Sequence, residues 1–453
     1  MRFQGLGYRT ILSLMVLGTV MAAPAVVFGQ VAAGVVVDAE GVLRTRTAAD
    51  VGGQLTRERI NAARSSLAPK LAAFSKLRYI SLKHLEQAIV DHQGVCTEEM
   101  RNLAGLLRVR YVFLYPDSQD IVIAGPAEGW VTDGFERVVG LNSGRPVIQL
   151  QDLVVALRAF PPGGSATRFI GCSIDPTKEG LVAMQQFLRS IGSVATPGDT
   201  QTIVQGLQTS LGLQTVSVNG VSSRTHFALV MVEADYRMKL IGIGLEKPPI
   251  RMVSYVDRAN PAAVSRNAMK RWFFVPDYQC VRTSEDGTAM ELVGDGVKLV
   301  GEDEMVSSAG HRQSVGRSDA ASQAFVTSFT QRYSALAERS PVYAQLRNLI
   351  DLAVAAAYMQ HEDFYTKAAW KMDVLGDEKT FAVETYNMPK QVATAVNAIW
   401  RGNRLMTPVG GGVAINPSKA LDAQNRLPDE KGRVAKLHEQ SKIQLAKGQW
   451  WWD

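Results

Sequence analysis

The residues of this sequence best suited to chemistry lie between 226 and 239. Glu233, Asp235, Tyr236, Arg237 and Lys239 set two carboxylates among two cations and a phenol, and His226 stands at the upstream end of the same stretch. Paired carboxylates are the tools of general acid–base hydrolysis. The apolar run His226–Val232 reads as a buried strand leading into a short helix, and clusters at such strand ends are where sites are commonly built. The same residues also fit an ordinary helix surface, because Asp235 and Lys239 are spaced i, i+4.

A second candidate is Cys172, within Gly171-Cys-Ser-Ile-Asp175. A thiol between a strand and a helix N-terminus is placed to lose its proton and act as a nucleophile. The glycine that a nucleophile elbow needs after Ser173 is missing, and Asp175-Pro176 reads as N-cap and first helical residue. The competing reading is an inert, buried cysteine. Cys96, Cys172 and Cys280 are far apart and lack metal-ligand spacing; they fit either one disulfide with one thiol or three unpaired thiols.

Metal and cofactor signatures are weak. His361, Glu362 and Asp363 are adjacent, so a helix cannot bring them to one face. His84 and His92 fall eight residues apart on one expected helix, about 12 Å along its axis, too far to chelate one ion. The acidic stretch Asp295–Glu304 lacks the spacing of a calcium loop, and Gly242-Ile-Gly244 lacks the third glycine of a dinucleotide fingerprint. The sequence predicts neither a metal nor a cofactor.

Trp450, Trp451 and Trp452, followed by Asp453, form an unusual end to the sequence. Three exposed indoles would make an apolar patch for envelope proteins or a membrane surface. Packed back on the body, they would form a latch.

The elements that must position these groups begin after a leader. Arg2 and Arg9 precede an apolar run from Thr10 to Ala23, and small residues follow at Ala22, Ala23, Ala25 and Gly29. This is the order of a secretory signal peptide, assigned to residues 1–29 with cleavage between Ala22 and Gln30. The alternative is an uncleaved N-terminal anchor, but the run is short of the roughly 20 residues a membrane span needs. The expected location is therefore periplasmic or secreted. Of 453 residues 46% are hydrophobic and 20% charged, the composition of a globular chain. The net charge of +6 forms no basic run, which speaks against a nucleic-acid partner.

Periodicity and breakers divide the remainder into an N-terminal α+β module at 30–162, a central antiparallel-rich module at 165–306, a mainly helical module at 320–415 and a polar tail at 416–453. In the first, a short strand at Gly34–Asp38 turns at Glu40-Gly41, and the span 47–73 is helix-like, with Pro69 ending its regular part. Ser81 and Thr97 cap further helices, the second carrying Met100, Leu103, Leu106 and Leu107. A hairpin joins Val109–Leu114 to Ile121–Ala124, and a strand at Val147–Leu150 runs into a helix. The break at Pro161-Pro-Gly-Gly164 separates the modules. In the second, Asn219-Gly220 marks a hairpin, and four strands between Trp272 and Val300 form an antiparallel meander. A polar linker at 307–318 leads to helices over 322–359, a strand-like run at 376–386, and a break at Gly410-Gly-Gly412.

Several longer phrases resemble a family of secreted bacterial proteins known only as a domain of unknown function. They are Ile170-Gly-Cys-Ser-Ile-Asp-Pro-Thr-Lys-Glu-Gly-Leu181, the segment Glu233–Pro248, Val342-Tyr-Ala-Gln-Leu-Arg-Asn-Leu-Ile-Asp351 and Trp400–Val409. The resemblance implies export and carries over no functional residue. The sequence thus points to an α+β protein with antiparallel strands and a helical C-terminal region. Its expected role is structural or binding, in the cell envelope or outside it. The alternative is an envelope hydrolase using Glu233 and Asp235 or Cys172.

Overall fold

The computed structural model describes residues 31–191, 196–259, 268–306, 312–314, 316, 318–397, 409–441 and 445–453. The leader at 1–29, most of the polar linker at 307–318 and nearly all of the phrase 400–409 lie outside the described residues.

Local signals near the N-terminus hold where caps and turns are short-range. Strands β1 (Val31–Val37) and β2 (Val42–Ala49) pair antiparallel about a turn in which Gly41 adopts φ +81°. The span 47–73 is not one helix: β2 keeps its first residues, and helix α1 (Gln54–Ser66) buries no residue. Strand β3 (Ser75–Ser81) runs directly into α2 (Leu82–Asp91), whose N-terminus Ser81 caps by accepting from the His84 N–H at 3.0 Å. The Thr97-capped helix stops at Arg101, because Leu103 and Ala104 take positive φ and turn the chain before Leu106.

The expected hairpin is present as β4 (Tyr111–Tyr115) and β5 (Asp120–Ala127). A small ribbon, β6 (Trp130–Thr132) with β7 (Val138–Gly140), follows. Val147–Gln149 is no strand; it leads into α3 (Leu150–Ala159), with Ile148 donating its N–H to Leu106 O.

The middle of the chain departs furthest from expectation. Strand β8 (Ile170–Asp175) precedes α4 (Lys178–Ile191), and Thr177, not Asp175, caps the first turn by accepting from Gly180 N–H. After α5 (Thr200–Leu211) comes β9 (Leu213–Asn219), which pairs with β8 and not with the residues beyond Gly220. Residues 226–232 are not a strand. They open α6 (His226–Gly242), a 17-residue helix capped by Thr225 and buried on nearly every side. Burial all round removes the one-faced apolar period by which a surface helix is recognised.

The expected meander is also split. Strands β10 (Ala268–Pro276) and β13 (Val297–Val306) belong to one sheet, and β11 (Val281–Thr283) and β12 (Ala289–Leu292) to another. Short β14 (Arg312–Ser314) pairs with β13. Helices α7 (Ala320–Gln331), α8 (Tyr333–Arg339) and α9 (Pro341–His361) follow the expected pattern, with Pro341 at a helix start. Residues 376–386 form no strand; β15 comes later, at Gln391–Ala393.

Gly410-Gly-Gly412 is not a break but part of strand β16 (Val409–Ile415), parallel to β10 and antiparallel to β8. A Cβ at Gly411 would stand 1.8 Å from Trp272 O, and one at Gly412 would stand 2.0 Å from Cys172 O. The glycines allow three backbones to approach where no side chain fits. The tail contributes β17 (Leu427–Pro428), α10 (Arg433–Gln440) and β18 (Trp451–Trp452).

Among the described residues, two large sheets stand beside the β6–β7 ribbon, ordered β1-β2-β15-β9-β8-β16-β10-β13-β14 and β17-β11-β12-β4-β5-β3-β18. Most pairings are antiparallel and a few are parallel, so the fold is α+β. Each sheet draws strands from three of the four spans delimited by sequence. Helix α6 lies on β8, β10 and β16 and is covered by α3 and α9. Among the described residues, no helix is long and apolar enough to cross a membrane.

Candidate functional site

The polar cluster of α6 is dismantled by helical geometry. Residues two apart on a helix point in nearly opposite directions, so Glu233 and Asp235 do not share a site. Each carboxylate instead meets the cation four residues on: Asp235 Oδ2 lies 2.8 Å from Lys239 Nζ, and Glu233 Oε1 lies 3.4 Å from Arg237 Nη1.

On the sheet side, Asp235 is fully buried and Lys239 nearly so. They are not the exposed surface pair that their spacing suggested. The Lys239 ammonium also donates to Ile174 O and Gly411 O, each at 3.3 Å, which ties α6 to β8 and β16. Asp235 Oδ1 has no hydrogen-bond partner among the described residues. Burial pushes the Asp235 carboxyl up to about 6, against the pull of Lys239. Cys172 faces this pair from β8. It is buried, and its thiol is raised well above the usual range by burial first and then by the Asp235 charge. A thiol so placed is protonated and inert, the opposite of an activated nucleophile. Cys96, Cys172 and Cys280 are all unpaired.

On the other side Arg137 reaches Glu233 at 2.5 Å, and Arg237 holds Glu246 at 2.7 Å. Burial alone would lower the Arg237 guanidinium, but its hydrogen bonds to Glu246 more than offset this and raise it. His226 begins the same face. Its Nδ1 lies 2.8 Å from Asp152 on α3, and the ring packs 5.7 Å from Tyr386. Burial opposes its charge, but Asp152 and then Glu233 raise its pKa above the usual value. Tyr236 is half-buried, and burial raises its phenol. The structure therefore joins Glu233 to Arg137 and Arg237, sets His226 on the same face against Asp152, and places Cys172 beside Asp235.

Neither group lines either of two clefts on the surface. One, of about 470 Å³, lies beside the second network and is lined by Cys96, Glu98, Arg101, Gln151, Glu384 and Tyr386. The other, of about 550 Å³, opens between the start of β4, the 294–295 turn and helices α8 and α9. Its cations are Lys76, Arg108, Arg110, Arg145 and Arg347. None of these was singled out from sequence, although Arg108-Val-Arg110 alternates like a strand and Arg347 stands i, i+4 from Asp351. What the sequence does not carry is that Arg108 meets Asp351, 243 residues further on.

The terminal tryptophans do not form an exposed patch. Trp450 is buried and accepts from Ser81 N–H through its carbonyl, while β18 pairs with β3 as Trp451↔Ile80 and Trp452↔Tyr79. The Trp452 ring stacks on Tyr79 at 5.2 Å, and the buried Arg78 guanidinium lies 4.5 Å over Trp451. Arg78 also holds the Asp453 side chain at 2.8 Å, and the Trp451 indole donates to Glu99. Among the described residues, no group of three or more His, Cys, Asp or Glu side chains could hold a metal ion. His361 ends α9, Glu362 follows as its C-cap, and Arg426 pairs with Glu362 at 2.9 Å.

No curated protein and no solved structure matches the chain. The resemblance carried by the phrases around Cys172 and Glu233 is to a family without assigned activity: residues 172–255, from β8 through α6, match the model described as protein of unknown function (DUF1598).

Proposed function

We propose that this is an exported protein of the cell envelope or exterior with a binding or structural role, not a hydrolase acting through Glu233 and Asp235 or through Cys172. The observation that supports the non-catalytic reading is the arrangement on α6. Two carboxylates expected to work together point to opposite faces of a buried helix, each already neutralised by its own cation. General acid–base hydrolysis needs both carboxyls within reach of one substrate bond, which this geometry does not offer. Cys172 supports it further, because a buried, protonated thiol in the middle of a ladder has no access to substrate.

Export rests on the three-part order of the first 29 residues. The test is to express the full chain, fractionate the cells and weigh the protein found outside the cytoplasm. The expected result is a chain starting between residues 23 and 31, active or not. Recovery of an uncleaved chain in the cytoplasm would overturn export. Hydrolytic activity lost on both Glu233→Gln and Asp235→Asn, with folding intact, would overturn the non-catalytic reading.

A further inference from the structure

We propose that the cleft of Lys76, Arg108, Arg110, Arg145 and Arg347 binds a small, multiply charged oxyanion such as a phosphate ester or polycarboxylate. This goes beyond the reading above and does not depend on export. The cleft, about 550 Å³, has the size of a small-molecule site. Five cations line it against two lining carboxylates, Asp295 and Glu338.

The internal counter-charges are already committed. Asp351 is taken by Arg108 in a two-point contact, Nε to Oδ2 at 2.6 Å and Nη2 to Oδ1 at 3.3 Å. Glu338 is taken by Arg145 at 3.0 Å. Glu291, behind Arg110, is shared: Arg433 and Arg282 hold it at 2.5 and 2.6 Å, while Arg110 stands back at 4.0 Å. Asp295 alone remains to face Arg347, Arg110 and Lys76.

Arg347 shows the deficit most directly. Its Nε is buried and has no hydrogen-bond partner among the described residues. An arginine stays charged in any protein environment, so the Arg347 guanidinium brings to the cleft wall a charge that the surrounding protein leaves short of acceptors. Burial first, and the neighbouring Arg108 second, act against the charge on both Arg347 and Arg110. An oxyanion set among these guanidiniums would supply acceptors to several planar forks at once, the geometry in which arginine holds phosphate and carboxylate. One negative charge would leave the cluster still repulsive; two or more would balance it.

The test is a titration of the purified chain with sodium pyrophosphate, citrate and acetate, followed by calorimetry and thermal unfolding. Pyrophosphate and citrate are expected to bind and raise Tm, acetate to do neither, and affinity to fall several-fold as salt rises. The tighter of the two names the source as phosphoryl or polycarboxylate. Arg347→Gln should keep or raise the unliganded Tm, because it removes a repulsive charge, and should weaken binding about tenfold or more. Lys247→Gln, an exposed charge elsewhere, should leave affinity unchanged. If Arg347→Gln fails to fold, Lys76→Gln at the exposed rim reads the same site, with a smaller loss. Absence of binding by both polyanions, or an equal loss in Lys247→Gln and the cleft variant, would overturn the site.

Discussion

Lys239 Nζ lies 2.8 Å from Asp235 Oδ2 and also bonds two strand carbonyls, Ile174 O and Gly411 O, so one buried ammonium joins a helix to two strands. The arrangement accounts for an unusual feature of the sequence. A helix packed on all sides carries charges in mid-core because each charge meets an opposite one or a carbonyl within its reach. Such a pair adds little net stability when complete, yet removing one member leaves an uncompensated charge.

Lys239→Met should therefore destabilise the protein by about 3 kcal/mol or more, as stranded buried charges do. The double variant Asp235→Leu with Lys239→Met should recover much of that loss. Urea unfolding of the three proteins tests this; equal loss in the single and double variants would mean the pair contributes by packing alone.

The Asp235 carboxyl sits near 6 in the folded chain against 3.8 for an unperturbed aspartate. A folded-state pKa above the unfolded one means that the native state binds the extra proton between those values. Ionised Asp235 therefore costs stability at neutral pH, and the cost is relieved as pH falls from about 7 toward 4. Relative to Asp235→Asn, which cannot titrate, the wild type should gain stability over that window, on the order of 2 kcal/mol. Denaturant titrations of both proteins at pH 7 and pH 4 give the difference directly; no change between them would mean that the carboxyl is not raised in the folded chain.

Truncation after Gln449 should cost several kcal/mol, since it removes buried Trp450 and the rings stacked on Tyr79 and Arg78. It also uncovers the edge of β3, so the truncated chain should self-associate on gel filtration. A truncated protein with unchanged Tm and elution volume would show that the tail is not a latch.

Gly412→Ala should prevent normal folding or lower Tm by many degrees, because the added Cβ would meet the Cys172 carbonyl at 2.0 Å in the middle of a sheet. Gly432→Ala provides contrast: nothing stands within 4 Å of its Cβ, and only its φ of +59° carries a cost, about 1 kcal/mol. Thermal unfolding of the pair separates close approach from backbone strain.

The parts of this fold legible in the sequence are those held by neighbours along the chain. Ser81 and Thr97 cap their helices because a hydroxyl needs only the N–H three residues on, and Pro116-Asp117 closes its hairpin within six residues. The helices from Ala320 to His361 follow from apolar spacing and Pro341. Tertiary structure decided the rest. Residues 226–232 became helix because a run apolar on every side fits either period, and the choice rests on what surrounds it. Glycines 410–412 read as a break because a sequence does not display the two backbones that press against them. The sharing of four successive strands between two sheets, the separation of Glu233 from Asp235, and the meeting of Arg108 with Arg347 all depend on distant partners. Caps and turns act over a few bonds, and local chemistry specifies them; sheet partners and buried charges are chosen by contacts that exist only once the chain has closed on itself.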